Sequence, residues 1–463
     1  MIPVTTRKGQ NIALFGLGGS GMVTAEALIA GGANLTAYDD NPQKVEEASS
    51  KGIPTGDLRE FDFSIADALV LAPGVPLTHP NPHWSVDLAN EYNVPIIGDV
   101  ALFADERRAH APQSHLIAIT GTNGKSTTTA LISHVLANAG HDVQMGGNIG
   151  RAVLSLDALS DDKIYVVECS SYQIDLAPEL DASIGVLLNL APDHLDRHGT
   201  MEHYAEIKSR LVAKSNVTLI GNDDPYCLQV SNTLEDDGKC ITRISNTKLS
   251  SGFGVVDEQI VQFNSGDEDF ISNLHGIATL RGKHNAQNAV TAVATCKSVG
   301  LNTEEIQAGL NSFPGLAHRM EIIGSVDDVL FVNDSKGTNA DAAAMALGSF
   351  ENIHWIAGGL AKEGGIESLR PYFERVSKAY LIGEAAPEFS ATLGSDVTFE
   401  ISETLDIAVK NAAENTRQSG AKAVVMLSPA CASFDQFPNF EIRGDAFRSE
   451  VEKLDNLIPY GGN

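Results

Sequence analysis

The chain has 463 residues with 60 acidic and 32 basic side chains, which give a formal net charge of −28 at pH 7. That length corresponds to about two to four domains, and a composition of 43% hydrophobic and 20% charged residues excludes a fibrous or disordered protein. So acidic a chain is not expected to bind nucleic acid, which usually needs a basic surface, although a local site for a small phosphorylated ligand stays open.

The cysteines and the apolar runs indicate where the protein works. The five cysteines are scattered and never spaced as CxxC, which is typical of a reducing compartment. No stretch approaches the roughly 18 uninterrupted apolar residues of a membrane helix. We therefore expect a cytoplasmic protein that does not enter a membrane.

The first segment has the pattern of alternating strands and helices. It predicts, in chain order, a strand at 12–15, a turn at 16–21, a helix at 22–30, strands at 34–38, 68–72 and 95–98, and a polar linker at 107–114. The turn, GLGGSG, matches G-x-G-x-x-G, in which glycines let a diphosphate approach a helix N-terminus. Asp39 follows at about the 20-residue spacing of an acidic ribose ligand. NAD and other nucleotide diphosphates satisfy this pattern equally, and a tight turn that needs glycine for packing is the alternative.

The second segment is predicted to hold a mainly parallel sheet with helices on both faces. We expect strands at 116–120, 165–167 and 184–188, helices at 126–139 and around 202–213, and short strands and loops over the polar stretch 231–270. Between the first strand and helix, GTNGKST at 121–127 resembles a P-loop, whose N–H groups cradle phosphates while its lysine reaches them and its serine binds Mg²⁺. The match is imperfect, because Ile119 stands where the first glycine of that pattern would be.

Two further side chains follow strands of this segment. Glu168 comes after the strand at 165–167 and His194 after the strand at 184–188. Metal ligands of α/β sheets often occupy such positions. From the pattern alone, His194 is as readily a structural residue as a ligand.

The third segment repeats the strand–helix pattern after a linker at 313–315. Strands are predicted at 329–332, 354–357, 379–382 and 424–427, and polar loops at 333–339, 358–362 and 428–433. Ligands of open α/β sheets bind at the carboxyl ends of the strands, so we expect the three loops to form one crevice.

At these motifs the chain resembles the Mur ligases, whose relatives include folylpolyglutamate synthase. The resemblance rests on GTNGKST at 121–127, ECSSYQ at 168–173, DHLDR at 193–197 and GKHN at 282–285. NDSKGTN at 333–339 and SPACASFDQFPNFEIRG at 428–444 are similar to the members that add D-glutamate to UDP-N-acetylmuramoyl-L-alanine. The resemblance extends from Gly16 to Phe447, which is nearly the whole chain.

The resemblance implies an α/β protein of three domains. These are a Rossmann-like domain at 1–106 for the uridine nucleotide, a central P-loop ATPase-like domain at 107–315, and a C-terminal Rossmann-like domain at 316–463 for D-glutamate and ATP. The implied enzyme is an ATP-dependent ligase of peptidoglycan synthesis, in which ATP phosphorylates a carboxylate, the amine of D-glutamate attacks and phosphate leaves. ATP, two Mg²⁺ ions (or Mn²⁺) and a monomeric state are expected.

The resemblance also implies site residues, position by position. Catalysis is assigned to Lys125, His194 and Lys208. ATP is assigned to Gly121, Thr122, Asn123, Gly124, Lys125, Ser126, Thr127, Asn288, Arg319 and Asp334. The UDP-substrate is assigned to Gly19, Ser20, Asp39, Asp40, Gly74 and Asn148. D-Glutamate is assigned to Lys336, Thr338, Lys362, Ser433, Phe434 and Phe440. The metal ions are assigned to Ser126, Glu168, His194 and Lys208, the last as a carbamate.

Three other functions compete with this interpretation. A related ligase would use another amino acid or a folate, but a folate enzyme would not need the glycine-rich first segment. An NAD-dependent dehydrogenase fits the first 40 residues and leaves GTNGKST unexplained. A catalytically inactive nucleotide-binding scaffold would not need Lys125, Glu168, His194 and Lys208 together.

Overall fold

The computed structural model describes residues 1–264, 267–362 and 364–460. Ser265 and Gly266 in the polar stretch, Glu363 after the second polar loop, and residues 461–463 at the end of the third predicted domain lie outside the described residues. The chain forms two compact units, one of residues 1–276 and 283–311 and the other of residues 277–282 and 312 onward. Within the described ranges, every helix is too short or too polar to span a bilayer.

The first unit begins with a four-stranded parallel sheet. Its elements are β1 (Asn11–Phe15), β2 (Asn34–Tyr38), β3 (Ala68–Leu71), β4 (Ile96–Ile97), α1 (Gly19–Gly31), α2 (Pro42–Ser50), α3 (Trp84–Glu91) and α4 (Asp99–His110). The strand order is β2-β1-β3-β4. Because the chain leaves β1 for β2 on one side and later adds β3 on the other, a crevice opens beyond the carboxyl ends of β1 and β3.

Two boundaries in this segment differ from the prediction. Helix α1 begins at Gly19, earlier than residue 22, with Gly18 as its N-cap. Residues 107–110 form the last turn of α4 rather than the start of a linker. The reason is that Arg107 is buried and its guanidinium donates to the carbonyls of Ser114 (3.2 Å) and Asp181 (3.3 Å), which satisfies a side chain that looks solvent-exposed in sequence.

A nine-stranded sheet forms the rest of the first unit. Its strands are β5 (His115–Thr120), β6 (Val143–Gly147), β7 (Ile164–Glu168), β8 (Ile184–Leu187), β9 (Val217–Gly221), β10 (Thr242–Ile244), β11 (Ser251–Val256), β12 (Gln259–Asn264) and β13 (Asp267–Asn273). They lie in the order β13-β12-β11-β10-β9-β8-β5-β7-β6, parallel from β6 to β11 and antiparallel at β12 and β13. The helices are α5 (Lys125–Asn138), α6 (Ser171–Asp175), α7 (Leu195–His198), α8 (Met201–Ala213), α9 (Pro225–Asp236), α10 (Lys283–Val299) and α11 (Thr303–Ser312).

Part of the polar stretch 231–270 is helical, contrary to the prediction. Helix α9 continues to Asp236, and only then do the expected short strands begin. The Asp224 side chain caps its N-terminus by accepting from the N–H of Cys227 (2.8 Å), and Pro225 occupies the first turn. An acidic N-cap followed by proline is a typical start of a helix. The sequence therefore carried a signal for this helix, which the prediction did not use.

The second unit is built on a seven-stranded sheet. Its elements are β14 (Glu321–Val326), β15 (Val329–Asn333), β16 (Ile353–Gly358), β17 (Val376–Ile382), β18 (Phe399–Glu403), β19 (Ala423–Leu427), β20 (Ile458–Pro459), α12 (Ala340–Leu347), α13 (Ala386–Leu393), α14 (Leu405–Ser419) and α15 (Phe440–Val451). The order is β18-β17-β16-β19-β15-β14-β20, parallel from β18 to β15. Three mostly parallel α/β sheets confirm the predicted fold class.

Both faces of this last sheet are covered. Trp355 and Met426 pack into one hydrophobic cluster, whereas Ile356 and Leu427, the next residues along the same strands, pack into another. Side chains alternate between the two faces of a strand, so both faces are buried. The continuous apolar runs that predicted β15, β16, β17 and β19 have this cause.

Candidate active site

A cleft of about 590 Å³ lies at the crevice of the first sheet. Five of the six residues predicted to bind the UDP-substrate line it, namely Ser20, Asp39, Asp40, Gly74 and Asn148. The sixth, Gly19, is the first residue of α1 and adjoins the lining. Lys44 and Gln173 also line the cleft and were not predicted. The signal for Gln173 was its place in the ECSSYQ motif, and no comparable signal marks Lys44.

Asp39 shapes the glycine-rich loop. Its Oδ2 accepts from the N–H of Leu17 (2.7 Å) and its Oδ1 from the N–H of Asn41 (2.9 Å), which ties the loop after β1 to the loop after β2. Gly16 has a φ of 101°, and a Cβ there would lie 2.5 Å from the Cβ of Ala72. Glycine is therefore required where β1 passes the end of β3, and Asp39 has a structural role besides any contact with a ligand.

Asp40 has different surroundings. Its carboxylate lies 3.0 Å from His83 Nε2 and accepts from the Arg59 guanidinium (3.1 Å) and the Trp84 indole (3.3 Å). Burial acts to raise the pKa of Asp40, but the hydrogen bonds from His83, Trp84 and Arg59 outweigh it and lower that pKa. Asp40 is therefore a half-exposed anion at neutral pH.

The other end of the cleft leads to a buried carboxylate. Asn148 lines the cleft, and its Nδ2 donates to Glu168 Oε1 (2.9 Å) at the end of β7. Glu168 is 1% exposed, and its Oε2 has no hydrogen-bond partner among the described residues. Gln173 holds this wall in place, because its Oε1 accepts from the N–H of Ser170 (3.1 Å). A ligand in the cleft that contacts Asn148 would therefore lie one hydrogen bond away from Glu168.

The loop at 121–124 joins β5 to α5, as the P-loop prediction requires. Two asparagines from other elements hold it. The N–H of Asn123 donates to Asn189 Oδ1 (2.8 Å), and a Cβ at Gly124, where φ is 81°, would lie 2.3 Å from Asn288 Oδ1. Despite Ile119, the strand–loop–helix geometry is that of a phosphate-binding loop, with helix N–H groups at its mouth.

Two lysine side chains converge on the carbonyl of Gly121. Lys125 Nζ donates to the oxygens of Gly121 (3.0 Å) and Thr122 (2.8 Å), and Lys208 Nζ donates to the same Gly121 oxygen (2.8 Å) and to Thr120 Oγ1 (3.0 Å). Lys208 lies on α8 and is 1% exposed. Burial, and next the charge of Lys125, lower the pKa of Lys208 to about 7. A substantial fraction of this amine is therefore uncharged at neutral pH.

The predicted metal ligands differ in exposure. Ser126 and Glu168 are buried beside the loop, whereas His194, with a φ of 53°, is half-exposed and contacts Asp193 (3.4 Å) and the Tyr172 ring (5.2 Å). The described ranges hold no cluster of three or more His, Cys, Asp or Glu side chains that could bind a metal ion. The unpartnered Oε2 of Glu168 is the feature that fits a cation here, since a buried carboxylate oxygen needs a partner.

The three polar loops of the second unit meet at the carboxyl ends of β15, β16 and β19, as predicted. The N–H of Ala430 donates to the carbonyl of Gly337 (2.9 Å), and Leu360 and Ala432 exchange two backbone hydrogen bonds (2.9 and 3.1 Å). These bonds link the first loop to the third and the second to the third. The loops therefore form one crevice.

Asp334 lies beneath this crevice. Its carboxylate accepts from Ser428 Oγ (2.8 Å) and from the N–H of Met320 (3.2 Å), and it is 5% exposed. Burial raises its pKa to about 7, although these hydrogen bonds and the charge of Arg319 act to lower it. The structure thus brings Asp334 and Arg319, both predicted to contact ATP, within electrostatic range of each other.

The residues predicted to bind D-glutamate lie on or beside the three loops. Ser433 is buried, Lys336, Thr338 and Phe440 are half-buried, and Lys362 and Phe434 are exposed. Lys336 Nζ lies 5.1 Å from the centre of the Phe440 ring, a cation–π contact that joins the first loop to α15.

The chain is similar to known proteins over nearly its whole length. Family models of the Mur ligase middle domain and of the Mur ligase glutamate ligase domain match residues 119–296 and 318–431. The UDP-N-acetylmuramoylalanine--D-glutamate ligase of Agrobacterium fabrum is 59% identical over 99% of this chain and 98% of that protein, and that of Mesorhizobium japonicum is 58% identical over all of both. The crystal structure of UDP-N-acetylmuramate-alanine ligase from Thermotoga maritima has a TM-score of 0.56 at 16% identity, over 96% of this chain and 99% of that one.

Proposed function

The chain belongs to the Mur ligase family, and we propose from this that it joins D-glutamate to UDP-N-acetylmuramoyl-L-alanine with cleavage of ATP. It is an ATP-dependent ligase of peptidoglycan synthesis. The observation that carries the assignment is the 59% identity, over 99% of the chain, to a protein named for that reaction. The nucleotide cleft, the phosphate-binding loop and the three-loop crevice are the three sites that such a reaction needs.

The chemistry requires activation of a carboxylate, because a carboxylate is a poor electrophile. Phosphoryl transfer from ATP gives an acyl phosphate, which the amine of D-glutamate attacks, and phosphate then leaves. Such transfer depends mainly on positioning and on neutralising charge. The loop residues Gly121, Thr122, Asn123, Gly124, Ser126 and Thr127 would hold the phosphates, and Lys125 would stabilise the transferred group.

Asn288, Arg319 and Asp334 would complete the contacts with ATP. Asn288 supports this role because its Oδ1 accepts from Thr128 Oγ1 (3.1 Å) on the helix that follows the loop. Asp334 would contribute by ordering its loop, because its carboxylate accepts from Ser428 Oγ and from the N–H of Met320.

We assign the cleft to UDP-N-acetylmuramoyl-L-alanine. Gly19, Ser20, Asp39, Asp40 and Gly74 would hold the uridine nucleotide, and Asn148 the muramoyl end. The hydrogen bond from Asn148 to Glu168 supports this direction, because an acyl end held by Asn148 would lie near the buried carboxylate.

Magnesium would be held by Ser126, Glu168, His194 and Lys208, and it would neutralise charge on the phosphates. The unpartnered Oε2 of Glu168 supports this assignment. Lys208 fits only as a carbamate, because an ammonium repels a cation. Its buried amine with a pKa near 7 supports that modification, since only an uncharged amine adds carbon dioxide. We propose two ions, with Mn²⁺ as a substitute.

D-Glutamate would bind in the crevice of the second unit. Its two carboxylates need cations or hydrogen-bond donors, which Lys336, Lys362, Thr338 and Ser433 supply. Phe434 and Phe440 would flank its aliphatic part.

The test is phosphate release from ATP with the UDP-substrate and a panel of amino acids. We expect ADP and phosphate only when UDP-N-acetylmuramoyl-L-alanine and D-glutamate are both present. Lys125→Ala should lower kcat by roughly 100- to 1,000-fold, because a charge on the transferred phosphoryl group is lost. The exposed Lys214→Ala serves as the control. Equal turnover with L-glutamate, or AMP as the product, contradicts the proposal.

Two wider properties complete the proposal. We propose a monomer, and sedimentation analysis tests it. A cytoplasmic location is supported by the free cysteines, which are unpaired in the described residues.

A further inference from the structure

Arg443 is a buried cation beneath the crevice of the second unit. It lies on α15 and is 1% exposed. Its Nε donates to Ser335 Oγ (3.1 Å), and its Nη2 donates to the carbonyls of Ser335 (2.9 Å) and Cys431 (3.1 Å). One side chain therefore holds the first and third polar loops together.

The remaining nitrogen reaches the second loop. A Cβ at Gly359 would lie 3.2 Å from Arg443 Nη1, and glycine there leaves room for the guanidinium. Nη1 is buried and has no hydrogen-bond partner among the described residues. All three loops of the crevice thus pack around Arg443.

Arg443 forms no ion pair with a described carboxylate, and its hydrogen-bond acceptors are a hydroxyl and two carbonyl oxygens. Asp435 and Asp334 lie within electrostatic range and act to raise the pKa of Arg443 without bonding to it. A buried charge without a bonded counter-ion is costly, and an apolar side chain would serve stability better. Burial lowers the pKa of Arg443 to about 10, so the guanidinium remains charged at neutral pH. An anionic ligand in the crevice would offset part of this cost.

The amino-acid pocket proposed above lies next to this charge. The Cys431 thiol is within electrostatic range of both Arg443 and Lys362. Ser433 follows two residues after Cys431, and Ser335 Oγ, which accepts from Arg443, donates to the carbonyl of Phe440 (2.8 Å). Phe440 is therefore linked to Arg443 through Ser335, and Lys362 and Arg443 both act on Cys431, which lies on the same loop as Ser433.

We propose that Arg443 is a positioning residue for the amino-acid substrate. It holds the three loops in register and supplies positive charge that favours a ligand with two carboxylates. This inference rests on the proposed function, because it takes the crevice to be the D-glutamate pocket. It extends the set of residues proposed to act on D-glutamate by one that contacts the loops of the pocket and does not contact the reacting atoms.

The test compares Arg443→Gln with Arg443→Lys in the full-length enzyme, with each of the three substrates varied in turn. Removal of the charge by glutamine should raise the KM for D-glutamate roughly 10- to 100-fold, with little change in the KM for UDP-N-acetylmuramoyl-L-alanine. Lysine restores the charge without the fork of donors, so it should recover part of the loss. Inhibition by glutarate, a dicarboxylate without an amine, should weaken in parallel. The control is Arg417→Gln, which removes an exposed arginine paired with Glu414 on α14.

Several outcomes overturn the proposal. One is an equal rise in the three KM values, and another is a fall in melting temperature or kcat with no change in the KM for D-glutamate; both indicate a purely structural role. If the glutamine variant does not fold, an unchanged KM for D-glutamate in the lysine variant overturns it as well. A wild-type enzyme that makes no ADP with D-glutamate refutes the proposed function instead, so the two failures are distinct.

Discussion

At the scale of single residues, the chemistry is marked by buried ionisable side chains without ion pairs. Lys208, Glu168, Arg443 and Asp334 are each 5% exposed or less, and none forms an ion pair within the described part of the chain. Burial of a charge costs several kcal/mol in practice unless it is paired. Such residues contribute little to stability, so another role has to account for their presence. They therefore indicate sites where a ligand or a modification supplies the missing partner.

Lys208→Ala tests the carbamate. We expect activity to fall roughly 10- to 100-fold or more, because the proposed metal ligand would be lost. Added acetate should restore part of it, since a short carboxylate fits the vacated site. Phosphate release with and without acetate measures both effects. The control is Lys214→Ala, at the C-cap of the same helix, whose activity should equal that of the wild type with or without acetate. Full activity of Lys208→Ala without acetate would show that Lys208 is not a metal ligand.

Asp334→Asn tests the raised pKa of the buried carboxyl. Because the folded pKa is about 7 and the reference value is 3.8, the native state holds a proton that the unfolded chain releases. The contribution to the free energy of unfolding is therefore full below pH 3.8 and is lost as the pH rises through about 7. Asparagine does not titrate, so the difference in melting temperature between the variant and the wild type should shift in favour of the variant as the pH rises from about 4 to about 7. Melting curves at several pH values measure this, with the exposed Asp328→Asn as a control that should show a flat difference.

At the scale of elements, loops between strand and helix carry the sites, and glycines decide their geometry. Gly16 lies where β1 passes the end of β3, and Gly124 lies where the phosphate-binding loop meets Asn288. Gly18, the N-cap of α1, has open space around its Cβ position and a φ of −70°. The glycine motif therefore combines Gly16, which packing requires, with Gly18, whose Cβ position is open and which lines the cleft.

Gly16→Ala and Gly18→Ala should separate these two roles. The first should reduce the free energy of unfolding by about 2 kcal/mol or more, through a close contact and a strained φ. The second should cost less than about 1 kcal/mol in stability, yet raise the KM for the UDP-substrate, because Gly18 lines the cleft. Urea unfolding and steady-state kinetics measure the two effects. A similar loss of stability in both variants would contradict this division.

At the scale of the whole molecule, an acidic chain binds anionic substrates. The net charge of −28 opposes nucleotide and glutamate alike, so affinity has to come from local donors and cations. Those groups lie in two separate compact units: the cleft and the phosphate-binding loop in the first, the three-loop crevice in the second. Each substrate should therefore protect its own part of the chain.

Hydrogen–deuterium exchange should map this division. UDP-N-acetylmuramoyl-L-alanine should slow exchange at residues 16–21, 74–75 and 147–148, because bound ligand stabilises the local structure it contacts. D-Glutamate at saturation should slow exchange at 336–338, 360–362 and 430–434. L-Glutamate is the matched control. Protection by D-glutamate only in the first unit would refute its assignment to the crevice.

Much of the fold could be predicted from the sequence because its strands are short apolar runs between glycines and prolines. The runs at 12–15, 34–38 and 184–188 are all strands. Helix α9, the early start of α1 and the helical residues 107–110 were missed. In each of these, a cap or a distant hydrogen bond outweighs local composition, as the bonds of Arg107 to Ser114 and Asp181 show.

The sequence by itself determined the fold class, the loop between β5 and α5 and the family, since these depend on the order of residues along the chain. Only the tertiary structure decided that Asn148 bonds to Glu168 at one end of the cleft, that Lys125 and Lys208 share the carbonyl of Gly121, and that Arg443 is buried under three loops with one nitrogen unpartnered. The physical reason is that burial, pKa and hydrogen-bond partners depend on contacts between residues far apart in the chain, and strand order and register alone bring those residues together.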